Sequence, residues 1–121
     1  MRMIGRAGIG MVVTVTLLSA CGAERSGDVA SGPGGPDATK VIAVDNAFEP
    51  DRVELPAGDE AQIEITNEGA TRHDFTIEAL ELSTGVLEPG DVATATVIVP
   101  QGETMYRCTI HGGMEGTIVG R

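Results

Sequence analysis

The sequence predicts an all-β domain, a two-sheet sandwich of about seven strands. From Thr39 onward, short runs rich in Val, Ile and Thr alternate with turn residues, the pattern of a sandwich or barrel. Gln62-Ile63-Glu64-Ile65-Thr66 alternates polar and apolar, as a strand with one buried face must. No segment sustains the 3.6-residue period of an amphipathic helix.

Taken in order, Lys40–Val44 is the first run and Arg52–Leu55 the second. Pro56-Ala57-Gly58-Asp59 turns the chain into the alternating Gln62–Thr66 strand, and Asn67-Glu68-Gly69 breaks it. Asp74–Ala79 follows, with Phe75 and Ile77 on one face. Glu81–Val86 reads as a single helical turn. Glu88-Pro89-Gly90-Asp91 and Pro100-Gln101-Gly102 then bracket Val92–Val99. Glu103–Cys108 and Thr117–Val119 complete the set. With Phe48, Phe75 and Tyr106 as the aromatics, the expected core is mostly Val, Ile and Leu. A domain this small buries only about 60–65% of its unfolded surface.

The chain has 121 residues and divides into three. Residues 1–20 read as a signal peptide: Arg2 and Arg6 precede a short apolar stretch, Ala7 to Leu18. A membrane-spanning helix needs about 20 apolar residues. Leu18-Ser19-Ala20-Cys21 resembles a bacterial lipobox, which implies cleavage before Cys21 and lipid attachment there. An ordinary secretory signal and an uncleaved anchor are the alternatives. Residues 21–38 comprise that Cys and a stretch rich in Gly, Ser, Pro and charge, read as a flexible linker. As a coil, Gly22–Ala38 would span roughly 20–25 Å. Residues 39–121 form the folded domain. The protein is thus expected to be exported and held at a membrane, on the periplasmic side or the cell surface.

Loss of Arg2 and Arg6 with the leader leaves six basic residues against 18 acidic, a net charge of −12. Nucleic acid is an unsuitable partner, because phosphate binding calls for clustered Lys and Arg. An acidic surface aids solubility and steers basic partners.

Chemistry concentrates near the C-terminus, in Cys108-Thr109-Ile110-His111-Gly112-Gly113-Met114. With Cys21 lipidated, Cys108 is an exported thiol without a disulfide partner, which calls for an explanation. A thiolate, an imidazole and a thioether recur at three-residue steps, and Gly112-Gly113 lets the loop curl tightly. The chain has two histidines, so a second imidazole can come only from His73. Two His, one Cys and a weak axial Met describe a blue-copper site. Zinc also accepts Cys and His but has no use for Met114. A cysteine nucleophile with His111 as base lacks an orienting group. The carboxylates show no paired spacing that suggests acid–base catalysis, so no enzyme activity is expected.

These residues carry a family resemblance. Phe48-Glu49-Pro50, Val53–Gly58, Asn67–His73 and Tyr106–Gly116 together resemble the cupredoxins of the plastocyanin, pseudoazurin and amicyanin group, over Val41 to Val119. The resemblance implies a Greek-key sandwich holding one type 1 copper, with His73, Cys108 and His111 as equatorial ligands and Met114 as the axial one. The short gap from His111 to Met114 is similar to amicyanin's. It implies an electron carrier that exchanges electrons through the exposed edge of His111. Its partners would be redox proteins, such as a cytochrome or a membrane oxidoreductase, with the carrier itself a monomer. A copper storage or delivery module at the cell surface is the alternative function. In relatives, a polar residue after the first His ties its strand to the Cys loop. Asp74 is therefore expected to accept a hydrogen bond from the backbone of Thr109 or nearby, a surface carboxylate being the alternative. Two departures stand out. Many relatives have Pro where Ile110 stands; Ile110 keeps its N–H, and a second hydrogen bond to the Cys108 sulfur is expected from it. Many also have an aromatic residue where Arg107 stands, which removes a side route for electrons.

Overall fold

The computed structural model describes residues 27–121. The signal-peptide and Cys21 readings lie outside those residues. Among them, no helix is long and apolar enough to cross a membrane.

The architecture is all-β, two five-stranded mixed sheets packed as a sandwich. The first contains β1 (Gly27–Ser31), β2 (Thr39–Val44), β3 (Ala47–Glu49), β5 (Glu60–Asn67) and β8 (Val92–Ile98), in the order β1-β8-β5-β2-β3. The second contains β4 (Arg52–Leu55), β6 (Thr76–Ile77), β7 (Leu82–Ser83), β9 (Gly102–Arg107) and β10 (Glu115–Gly120), in the order β4-β10-β9-β6-β7. Within each sheet one pair is parallel, β2 with β5 and β4 with β10. The remaining pairs are antiparallel.

Among the described residues, ten strands replace the expected seven. The additions are β1, β3 and β7, each too short or too polar to announce itself by alternation. The clearest correction concerns the linker. Gly27–Ser31 is not a tether but an edge strand, paired with β8 from Gly27↔Val97 to Ser31↔Ala93. Backbone hydrogen bonding holds it, and only Val29 among its residues packs against the core. Side chains of β5 fasten the segment that follows: Glu64 Oε2 accepts the Gly34 N–H and Gln62 Oε1 the Gly35 N–H. The helical turn is also displaced. A 3₁₀ turn occupies Glu78–Leu80, and the chain after it pairs back as β7.

The core lies between the sheets. Val41, Ile63, Ile65, Ala95 and Val97 fill it from one side; Phe75, Ile77, Tyr106 and Ile118 fill it from the other. Period-two alternation places them there, as in β9, where Thr104 and Tyr106 are buried and Met105 is exposed. Phe48 of the first sheet meets Phe75 and Tyr106 edge-on, at centroid distances of 5.8 and 5.2 Å. The Tyr106 hydroxyl donates to the Pro50 carbonyl at 3.0 Å. Burial, and secondarily the Asp51 carboxylate, push the Tyr106 phenol well above its usual range. Opposite Tyr106 in β10 stands Gly116, where a Cβ would lie 2.2 Å from the phenol ring. The ring therefore lies flat across the neighbouring strand only because that position has no side chain.

Candidate metal centre

Two chain segments reach the same end of the sandwich. One is the β5–β6 connection, which carries His73. The other is the loop between β9 and β10, which carries Cys108, His111 and Met114.

Asn67, at the end of β5, organises the first segment. It is fully buried. Its side-chain amide donates to the carbonyls of Thr71 (2.9 Å) and Leu87 (2.8 Å), and its Oδ1 accepts the Gly69 N–H (2.9 Å). His73 then exchanges two backbone hydrogen bonds with Leu87, at 3.1 and 2.7 Å. The chain around His73 is thus fixed on both sides. The sequence places Asn67 in a turn and at the start of the Asn67–His73 stretch, without a role of its own. The Asn-x-Gly spacing carries the further signal, since an Asn carbonyl that caps the amide two residues on forms an Asx turn.

The second segment closes on itself. The Cys108 N–H donates to the Met114 carbonyl at 2.9 Å, and Gly113 turns the loop with a φ of +79°. Cys108 and Met114 are both buried, while His111 is partly exposed.

Asp74 joins the two. Its Oδ1 accepts the Thr109 N–H at 2.7 Å, and its Oδ2 accepts the Thr109 hydroxyl. This is the bond expected from the sequence, doubled by the side chain. The Asp74 N–H points at the Cys108 sulfur, 3.5 Å away. The bond expected from Ile110 is not there: among the described residues, the backbone N–H that reaches the sulfur is that of Asp74. Ile110 instead lies at the surface, about half exposed. Arg107 points outward as well and pairs with Glu78.

The donors converge. The Cys108 sulfur lies 4.0 Å from His73 Nδ1 and 3.5 Å from His111 Nδ1. All three ligand atoms fall within 4.8 Å of one another. The imidazole rings are 4.7 Å apart between centroids. An ion held at about 2.0–2.3 Å from each of two donors in trigonal array separates them by close to 4 Å. The spacing therefore fits one shared ion. The donor chemistry fits copper, one thiolate and two imidazoles beside a buried methionine.

A β-sandwich with a His₂Cys cluster at one end, closed by a Met-containing loop, is an arrangement that could hold a metal ion. The chain belongs to the cupredoxin-like domain family, whose model matches residues 9–119. No curated protein matches it in sequence. Solved structures share its fold at low identity. A mutant of amicyanin in its reduced Cu(I) form superposes with a TM-score of 0.66 at 18% identity, over 79% of this chain and 99% of that one. Dithionite-reduced auracyanin from the photosynthetic bacterium Roseiflexus castenholzii gives 0.62 at 19%, over 73% and 99%. Auracyanin B gives 0.62 at 18%, over 80% and 99%.

Proposed function

We propose that this protein is an extracytoplasmic electron carrier with one type 1 copper, held by His73, Cys108 and His111 with Met114 as the weak axial ligand. The observation that carries the reading is the convergence of His73 Nδ1, Cys108 Sγ and His111 Nδ1 within 4.8 Å. When bound there, copper supplies one-electron exchange between Cu(II) and Cu(I). The protein acts on no substrate of its own and is not an enzyme.

The chain's own groups supply rigidity. Asp74 fastens the loop through Thr109, and its N–H donates to the sulfur. A donor aimed at the thiolate withdraws charge from it and favours the reduced state. Leu87 and Asn67 hold the His73 segment. A site fixed on both sides changes little between redox states, which keeps electron exchange fast. His111 is the partly exposed donor of the set, and its ring edge is the port for electrons. The proteins it exchanges with are redox partners, and the carrier works as a monomer. The similar amicyanin structures, described in reduced Cu(I) and in oxidised forms, support this reading.

Residues 1–20 act as a lipoprotein signal and Cys21 as the lipid-bearing N-terminus. That anchors the domain at a membrane in the periplasm or at the cell surface. Mass spectrometry of the mature N-terminus tests this, an unmodified residue there excluding the anchor.

The functional test is optical. Cu(II) added to the protein should give an intense blue thiolate-to-copper band that reductant bleaches and oxidant restores. A colourless Cu(I) complex with no reversible couple would point instead to storage or delivery, and tight zinc binding with no blue form would exclude both.

A further inference from the structure

Asp45 lies in the turn between β2 and β3, far in sequence from every donor of the cluster. Its Oδ1 accepts the Ala70 N–H at 3.0 Å and the Thr71 hydroxyl at 3.5 Å. The same oxygen stands 3.7 Å from His73 Nε2, and Thr71 Oγ1 lies 3.4 Å from that nitrogen. His73 is fully buried. Its two nitrogens therefore face different chemistry, Nδ1 toward the sulfur and Nε2 toward a hydroxyl backed by a carboxylate.

A neutral imidazole that offers Nδ1 to a metal carries its proton on Nε2, and a buried N–H needs an acceptor. Thr71 Oγ1 can accept from Nε2–H while donating its own proton to Asp45. Gly69 keeps room for this arrangement, since a Cβ there would lie 2.7 Å from both Asp45 Oδ1 and His73 Nε2. Arg72, next in sequence to Thr71, is exposed and pairs with Glu88 at 4.0 Å.

We propose that Asp45 is a positioning residue. Acting with Thr71, it locks His73 in the Nε2–H tautomer with Nδ1 free for the metal, and its charge favours the oxidised over the reduced site. The tautomer lock stands on geometry alone; the redox effect rests on the copper reading above. Half of the Asp45 side chain is exposed, so water weakens its field without cancelling it.

The test separates the two. Long-range ¹H–¹⁵N spectra of the metal-free protein, taken where the imidazole is neutral, should show His73 as a single Nε2–H tautomer. Asp45→Ala and Thr71→Val should each give a mixture. An unchanged tautomer in both variants overturns the positioning role. Asp45→Asn keeps an oxygen for the Ala70 N–H while removing the charge, and it keeps the proposal testable should the alanine variant misfold. In copper-loaded protein it should raise the reduction potential, with Cu(II) affinity falling roughly tenfold relative to Cu(I). Asp45→Glu should restore part of that loss. An unchanged potential in Asp45→Asn overturns the redox effect. A wild-type protein that forms no blue complex overturns the copper reading, while the tautomer measurement still decides the positioning role.

Discussion

Phe75 and Tyr106 stack with ring centroids 4.7 Å apart and planes tilted by 30°. Each lies two residues from a donor of the cluster, Phe75 after His73 and Tyr106 before Cys108. In extended chain, residues two apart share a face. The aromatic pair in the core therefore sets the spacing between the imidazole-bearing and thiolate-bearing segments. Phe48 braces the pair edge-on from the opposite sheet.

The buried phenol makes stability fall in alkali. Tyr106 keeps its proton in the folded state well above 10.0, its ordinary value, whereas the unfolded chain loses it near that value. The unfolded state then binds fewer protons, so stability holds below about pH 10 and declines above it. Tyr106→Phe should abolish that decline while costing about 1 kcal/mol at neutral pH for the lost bond to Pro50. Denaturant titrations at several alkaline pH values measure both. Tyr106 is the chain's one tyrosine and there is no tryptophan, so phenol absorbance reports it alone.

Gly116→Ala should cost roughly 1–3 kcal/mol, because its Cβ would overlap the Tyr106 ring. A double-mutant cycle with Tyr106→Leu gives the check. The combined loss should be smaller than the sum of the two single losses, and full additivity would rule out the contact as the cause.

Asp74→Ala should release the Cys108 loop from the His73 segment. The Thr109 N–H loses its acceptor, at a cost of about 1–3 kcal/mol. Hydrogen exchange at the Thr109 amide should quicken far more than at β5 amides. Equal acceleration everywhere would mean that the fold, not the tie, had been damaged.

On the proposed copper reading, Met114→Leu should leave the fold and the blue band in place and shift the reduction potential upward. In a site of that kind a weak thioether donor would tune the potential, and an apolar side chain of similar volume would offer no lone pair to Cu(II). Voltammetry beside thermal unfolding separates the two effects.

A chain shortened to begin at Thr39 should be less stable and should self-associate. Removing β1 uncovers the edge of β8 from Ala93 to Val97, a row of unpaired backbone groups. Size-exclusion chromatography against the chain beginning at Gly27 reads the outcome.

The sequence by itself determined the all-β class, the alternation that sends Tyr106 and Cys108 to one face, and the four candidate donors. Those follow from local period and from residue scarcity, since two histidines and, with Cys21 read as lipidated, one remaining thiol leave few combinations. Only the tertiary structure decided the rest. β1 was illegible because a polar edge strand is held by backbone bonds to a partner more than sixty residues away, which no local pattern records. The sulfur's hydrogen bond comes from Asp74 rather than Ile110 because the β5–β6 connection folds over the loop. Asn67 reads as a turn residue and Asp45 carries no local signal at all; only the folded chain brings them to Leu87 and to His73. Long-range pairing places those groups, and composition carries no trace of it.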